Sequence, residues 1–270
     1  MINVIIARIR QKYRTMKFPA GDPPPMPDRF RGRPEIRSEA CSGRCSSCAA
    51  ACPTGALTLD ASAAAPRRGP SLDLGKCLFC GDCAAACPEG AIAFTKDYRL
   101  AVRSRADLIV SPGAKELELA RELDAKMKKL FGRSLKLRQV SAGGCGACEA
   151  DSNVLTTVGW DISRFGIQFV ASPRHADALL VTGPATKNME IALRKTYDAL
   201  CEPKLVIAVG SCAISGGPYI GHEAVLGGAA ELPLPDGGKL PVDLFIPGCP
   251  PHPLTILDGL LRLLGRIEKR

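Results

Sequence analysis

Apolar residues at the start of the chain recur at helical spacing. Ile2, Ile5, Ile6 and Ile9 share one face, ringed by Arg8, Arg10, Lys12 and Arg14, which predicts a short basic amphipathic helix. Such a helix suits a neighbouring subunit or a membrane surface, and its shortness favours the subunit. Phe18 to Pro34 carries six prolines and predicts an extended arm. Beyond residue 106 the pattern becomes regular. Ala114–Phe131 reads as a charged amphipathic helix. Short β-rich runs follow at Leu135–Val140, Ile167–Ala171, Ala178–Thr182, Leu205–Val209 and Asp243–Ile246. Helical stretches at Glu149–Val158, Asn188–Leu200 and His252–Leu264 lie between and after them. This alternation predicts a small doubly wound parallel sheet.

The chain's 270 residues suffice for two cores. No apolar run reaches 18 residues, so no membrane-spanning helix is expected. The opening Met1-Ile-Asn-Val-Ile-Ile is too short for a secretory signal, which points to a reducing cytoplasm, where clustered cysteines read as metal ligands. The formal charge of +9 raises the question of nucleic acid, but aromatics are only 5% of the chain and offer little for base stacking. Twelve of the thirteen cysteines fall into three sets of four. If each set bound a 4Fe–4S cube through four thiolates, at net charge 2−, the +9 would fall to about +3. Much of the basic excess then compensates for clusters, and no nucleic-acid partner is expected.

Two of the three sets form an internal repeat. Cys45-x2-Cys48-x3-Cys52-Pro53-Thr-Gly55-Ala56-Leu57 matches Cys80-x2-Cys83-x3-Cys87-Pro88-Glu-Gly90-Ala91-Ile92 at an offset of 35. Cys41 precedes the first copy with one residue more than Cys77 precedes the second. Zinc is the competing reading, but all-cysteine zinc sites come as separated C-x2-C knuckles, which duplicated triplets ending in Cys-Pro do not resemble. The repeat resembles bacterial two-cluster ferredoxins, in which the fourth cysteine of each motif serves the other cluster. The resemblance implies Cys41, Cys45, Cys48 and Cys87 on one cluster, and Cys77, Cys80, Cys83 and Cys52 on the second. Small residues beside the cysteines (Ala49–Ala51, Ala84–Ala86) leave room for backbone N–H groups to reach the sulfurs.

The third set is dispersed. Cys145 and Cys148 follow the first strand of the predicted sheet, Cys212 follows the fourth and Cys249 the fifth. Open α/β sheets bind ligands beyond the carboxyl ends of their strands, so these four thiols converge on a third 4Fe–4S site. Unrelated core cysteines are the bland alternative. Gly143-Gly-Cys-Gly146 lacks the spacing of either nucleotide-binding glycine motif.

Gly144-Cys-Gly-Ala-Cys-Glu149, Ser172-Pro-Arg-His-Ala-Asp177 with Leu179-Leu-Val-Thr-Gly-Pro184, Gly210-Ser-Cys-Ala213 and Pro247-Gly-Cys-Pro-Pro251 resemble the small subunit of membrane-associated NiFe hydrogenases. That family also contains the terminal-cluster subunit of respiratory complex I. The N-terminal half, including Phe30-Arg-Gly-Arg-Pro34, resembles the two-cluster ferredoxin subunit of the same assemblies. The whole resembles a fusion of two neighbouring subunits of the formate hydrogenlyase type. Complex I subunits carry adjacent cysteines where this chain has Cys145-x2-Cys148, so the resemblance leans to the hydrogenase branch and away from quinone reduction.

The fold so implied is an α+β two-cluster ferredoxin-like domain followed by an α/β flavodoxin-like parallel-sheet domain. Residues 1–40 would be an arm with a short helix, 41–100 the ferredoxin-like domain, 101–134 a linker with a helix, and 135–270 the domain holding the third cluster. The resemblance further implies electrons passing between the ferredoxin clusters and the NiFe site of a large partner subunit, with other iron–sulfur and membrane subunits nearby. The chain would then be an oxidoreductase subunit lying peripherally on the cytoplasmic face of the inner membrane. Delivery to quinone or another acceptor in a complex I-like module is the alternative. The resemblance makes Glu149 a proton-relay residue, against the plainer reading of a carboxylate at a helix N-terminus. Arg174 and His175 are expected near the third cluster. Cys201, in a predicted helix, is left as a structural thiol, and His222 and His252 fit no ligand pattern.

Overall fold

The computed structural model describes residues 2–43, 45–59, 69–112 and 117–267. Helix α1 (Ile2–Gln11) forms where the apolar spacing placed it and buries nothing, leaving Ile2, Val4, Ile5 and Ile9 exposed. The arm that follows is irregular but docked. Thr15 and Met16 donate to the Val158 and Gly159 carbonyls, and Arg164 donates to the Met16 and Phe18 carbonyls at 2.7 and 2.6 Å. Phe18 is buried in the core of the second half, edge-on to Tyr98.

The first half is built from small antiparallel sheets and single-turn helices. Strand β1 (Pro34–Ile36) precedes α2 (Ser47–Ala50), β2 (Leu57–Thr58), β3 (Ser71–Asp73), α3 (Asp82–Ala85), β4 (Ile92–Phe94) and β5 (Ile109–Val110). β1 pairs with β4, and β3 lies between β2 and β5. Residues placed in the arm or linker by sequence thus supply strands to this half: β1 comes from before residue 41 and β5 from after residue 100.

Helix α4 (Ala125–Phe131) corrects the expectation of a helix over Ala114–Phe131. Residues 113–116 lie outside the described residues, and 117–124 carry no helix. Ala120 N–H donates to the Ala101 carbonyl and Leu123 N–H to the Leu263 carbonyl, while both side chains are buried. Tertiary partners therefore take the donors that a helix would have used. Asp124, whose carboxylate accepts from Met127 N–H at 2.9 Å, caps the shorter helix.

The second half contains β6 (Leu135–Ser141), α5 (Ala147–Val154), β7 (Ile167–Phe169), β8 (Ala178–Thr182), α6 (Glu190–Asp198), β9 (Leu205–Val209), α7 (Ser211–Ser215), β10 (Leu244–Ile246) and α8 (Pro253–Leu263). Its five strands are all parallel, in the order β7-β6-β8-β9-β10. Counted within this half the order is 2-1-3-4-5, which places the topological switch point between β6 and β8. Every residue of β8 and β9 is buried, which explains their apolar sequences, broken only by Thr182 at the carboxyl end of β8.

The halves are sewn together. Val102 pairs with Phe245 at the β10 edge of the sheet, its N–H donating at 3.0 Å and its carbonyl accepting at 2.8 Å. Gly259, in the middle of α8, lies so close to the Ala101 side chain that a Cβ there would come within 2.7 Å. The same helix buries an ion pair, Asp258 with Arg262 at 2.8 Å. Burial pushes the Asp258 carboxyl upward, and Arg262 opposes that shift. Arg262→Met should cost about 3–5 kcal/mol in denaturant unfolding, because it strands a buried carboxylate. Adding Asp258→Leu should recover most of that loss; a double variant no more stable than the single one would refute this assignment.

Candidate iron–sulfur centres

In the two repeat copies, equal sequence makes equal hydrogen bonds. Gly55 N–H donates to the Cys52 carbonyl at 3.3 Å, and Gly90 N–H to that of Cys87 at 3.2 Å. Both glycines have φ of +60°, a left-handed turn that a side chain would strain. The turn carries the next residue back over the sulfur: Ala56 N–H donates to Cys52 Sγ at 3.2 Å, and Ala91 N–H to Cys87 Sγ at 3.3 Å. Phe79 N–H donates to Cys77 Sγ at 3.3 Å. The alanine runs contribute as expected, with Ala49 and Ala84 backbone N–H groups acting on the Cys48 and Cys83 thiols; the signal for Ala56 and Ala91 was the repeated Gly-Ala after each Cys-Pro.

The thiols meet in the crossed pattern. Burial raises the Cys48 thiol, and the neighbouring thiols of Cys87, Cys45 and Cys41 add to it. Burial likewise pushes Cys77 up to about 12, with Cys83, Cys52 and Cys80 adding repulsion. Cys83 is pushed up to about 11 by burial and by Cys80, with Cys52 contributing further. Cys52 moves the other way: backbone donors from Thr54 and Ala56 outweigh its burial and lower it. Cys52, Cys77, Cys80 and Cys83 together line one small pocket.

The third quartet assembles at the carboxyl ends of β6, β9 and β10. The Cys148 thiol is raised by burial and then by Cys212, Glu149, Cys249 and Cys145. Cys212 is pushed up to about 11 by burial, Cys249 and Cys145. Glycines let the carrier loops close. A Cβ on Gly183, after β8, would lie 2.6 Å from Gly144 N, and one on Gly210, after β9, would lie 2.5 Å from Cys148 Sγ. Gly210 N–H donates to the Ile246 carbonyl, and Ser211 N–H to that of Gly248, tying the β9 and β10 loops. Among the described residues no three His, Cys, Asp or Glu side chains are gathered around a point where one metal ion could sit. The donor set of each quartet, four thiols with backbone N–H groups or close-packed glycines around them, fits a 4Fe–4S cube.

The second and third quartets face each other. After burial and Cys145, the Cys80 thiol contributes to raising Cys249. Ser211 Oγ donates to the Cys77 carbonyl at 2.6 Å and Ser215 Oγ to that of Gly75 at 2.8 Å, so α7, which carries Cys212, is bonded to the loop that carries Cys77.

Glu149 stands in the first turn of α5, half-buried at the switch point. Thr182 Oγ1, at the end of β8, donates to Glu149 Oε1 at 2.7 Å. Burial pushes the Glu149 carboxyl up, but hydrogen bonds from Ser141 and Thr182 outweigh it and hold it below the usual value. Arg174 and His175 are not brought to the third quartet, a correction of the expectation above. They sit in a 3-10 turn just before β8, beside Asp177, whose N–H donates to the Lys136 carbonyl. That is the amino end of the sheet. β6 runs another four residues from Leu137, paired with Ala178, to Ser141, on the order of 13 Å at a strand's rise. Cys201 follows α6 rather than lying within a helix, exposed, with its thiol toward the Arg174 carbonyl at 3.7 Å. His222 accepts from Ala224 N–H, and His252 caps α8 by accepting from Leu254 N–H.

Two families match the chain. The family described as 4Fe-4S dicluster domain matches residues 31–91, and that described as NADH ubiquinone oxidoreductase, 20 Kd subunit, matches residues 145–263. The chain is 38% identical over 145 residues to the probable membrane-bound hydrogenase subunit mbhJ of Pyrococcus furiosus, covering 54% of this chain and 83% of that relative. Among solved structures, a chain of the membrane-bound sulfane sulfur reductase, an archaeal respiratory membrane complex, aligns at 30% identity and TM-score 0.43, over 53% of this chain and 75% of that one.

Gly210→Ala and Gly146→Ala both force a side chain onto a left-handed backbone, φ +90° and +86°, but nothing lies within 4 Å of a Cβ at Gly146. Each should lose about 1–3 kcal/mol from strain. Gly210→Ala should lose more, from its clash with Cys148 Sγ. Equal melting temperatures for the two variants would show that the packing around Cys148 is loose.

Proposed function

We propose that this chain, which belongs to the family of the 20 Kd subunit of NADH ubiquinone oxidoreductase and carries a 4Fe-4S dicluster domain ahead of it, is the electron-transfer subunit of a membrane-bound hydrogenase-like oxidoreductase complex. It holds three 4Fe–4S clusters: one on Cys41, Cys45, Cys48 and Cys87, one on Cys77, Cys80, Cys83 and Cys52, and one on Cys145, Cys148, Cys212 and Cys249. The observation that carries this reading is the grouping of twelve thiols into three mutually interacting quartets, the second against the third.

The clusters supply one-electron carriers at these positions. The chain's own residues do the rest. Backbone N–H groups of Ala56, Ala91 and Phe79 direct partial positive charge at ligand sulfurs, which favours the thiolate and the added negative charge of reduction. Ser211 fixes the loop of the second quartet against that of the third. Glu149, hydrogen-bonded by Thr182 beside Cys148, relays protons toward a partner's active site in this reading.

The partner is a large subunit with a NiFe site, in an assembly of the formate hydrogenlyase type. The Cys145-x2-Cys148 spacing and the hydrogenase relative support that terminus. The family description supports a second reading, delivery to quinone. No helix among the described residues is long and apolar enough to cross a membrane. With a membrane-bound hydrogenase relative, the reading puts the chain peripherally on the cytoplasmic face, attached through partner subunits.

Anaerobic purification of the complex should yield about twelve iron and twelve labile sulfide per copy of this chain, with nickel in the large partner. Full iron without nickel would favour the quinone reading, and zinc without sulfide would overturn the proposal. Cys148→Ser should abolish turnover of the complex while the two ferredoxin signals persist in electron paramagnetic resonance; full activity in that variant would remove the third cluster from the path.

A further inference from the structure

The segment Phe30-Arg31-Gly32 crosses the place where the second and third quartets meet. Gly32 clamps it: its N–H donates to the Thr95 carbonyl at 2.8 Å, and a Cβ there would run into the Asp97 carbonyl. On one side, Phe30 packs edge-on against His252, 5.4 Å between ring centres, three residues after Cys249. Arg31 turns toward the other quartet. Its Nη1 donates to the Phe79 carbonyl at 3.3 Å, and its Nε lies 2.9 Å from where a Cβ on Gly81 would be. The absence of a side chain at Gly81, next to Cys80, is therefore what admits the guanidinium. Arg31, Phe79 and Cys249 border one open cavity of about 230 Å³ between the halves. The Cys80 and Cys249 thiols interact electrostatically across this junction.

We propose that Arg31 is a potential-tuning residue, a solvent-exposed positive charge held against the residues on either side of Cys80 that raises the midpoint potential of the second cluster at its junction with the third. The inference rests on the three-cluster reading above. The sign follows from charge. A cluster held by four thiolates is already anionic, and reduction adds one more negative charge. A nearby cation stabilises the reduced form more than the oxidised one, so its removal lowers the potential. A guanidinium suits the position because it keeps its charge while a planar fork engages a carbonyl.

The test is redox titration of the intact complex, followed by electron paramagnetic resonance, with the second cluster taken as the signal that Cys80→Ser alters. Arg31→Gln should shift that signal to lower potential and leave the cluster of Cys41, Cys45, Cys48 and Cys87 in place, while Arg31→Lys, which keeps the charge, should retain most of the wild-type potential. A purely structural role would lower cluster content without this charge-dependent ordering. Should Arg31→Gln fail to load the second cluster, Arg31→Met against Arg31→Lys makes the same comparison. An unmoved potential in charge-removing variants with full iron and sulfide would overturn the role of Arg31 and leave the three-cluster reading standing. A wild-type complex without cluster signals would instead overturn that reading itself.

Discussion

Four thiols held around one small volume repel each other as they ionise, and burial makes each ionisation harder. That constraint governs the architecture. Left to the protein alone, Cys77, Cys83 and Cys212 would be neutral at physiological pH, since burial and their neighbours push them up to about 12, 11 and 11. Iron bound at these quartets would therefore have to drive the protons off. The chain lowers the barrier where it can reach a sulfur with its backbone. Cys52, with Thr54 and Ala56 turned toward it, is the ligand whose pKa falls. Ala91 and Phe79 donate to Cys87 and Cys77 in the same way, and excess positive charge over the molecule adds to this, so a formal +9 need not signal a polyanionic partner.

The same constraint explains why the two halves are not loosely tethered. A set of ligands drawn from distant segments keeps its shape only if the carrier loops are fixed to one another. The β9 and β10 loops are tied through Gly210 and Ser211, the β6 and β8 loops touch through Gly144 and Gly183, and α7 is bonded to the Cys77 loop through Ser211 and Ser215. Val102 then extends the parallel sheet from the other half, and α8 comes down on Ala101 through Gly259. Residues 101–110 belong to both halves at once, adding a bridge to one sheet and a strand to the other.

Most of this was legible in the sequence because the informative features were local. The repeat at an offset of 35 reads directly as matched Gly55 and Gly90 turns, and the apolar runs of β8 and β9 read as buried parallel strands. What escaped was tertiary. Residues 117–124 have helical periodicity, but their donors go to Ala101 and Leu263. Arg174 and His175 were expected at the third quartet from the resemblance, which says nothing of strand register. β7, however, is short and pairs only with the amino-terminal part of β6, so the turn after it stays at the opposite end. Strand length and register, which decide this, depend on partners that the chain order does not reveal. The seat of Arg31 was hidden for a related reason: its motif was visible, but the space above Gly81 exists only once the arm has folded across the repeat.

A duplicated pair of sites need not stay equivalent, and here the contacts break the symmetry. The two copies share their internal hydrogen bonds, but the described contacts with the second half gather on the later copy. Ser211 and Ser215 bond to the carbonyls of Cys77 and Gly75, Ile214 lies against Gly75, and Cys80 faces Cys249. On the earlier quartet, Ser42 beside Cys41 instead donates its N–H to Glu89, within the same domain. The second half thus grips the later copy, while the earlier quartet is tied within its own domain. Under the proposed reading, an order of carriers from the first quartet through the second to the third would follow from which copy the second half grips.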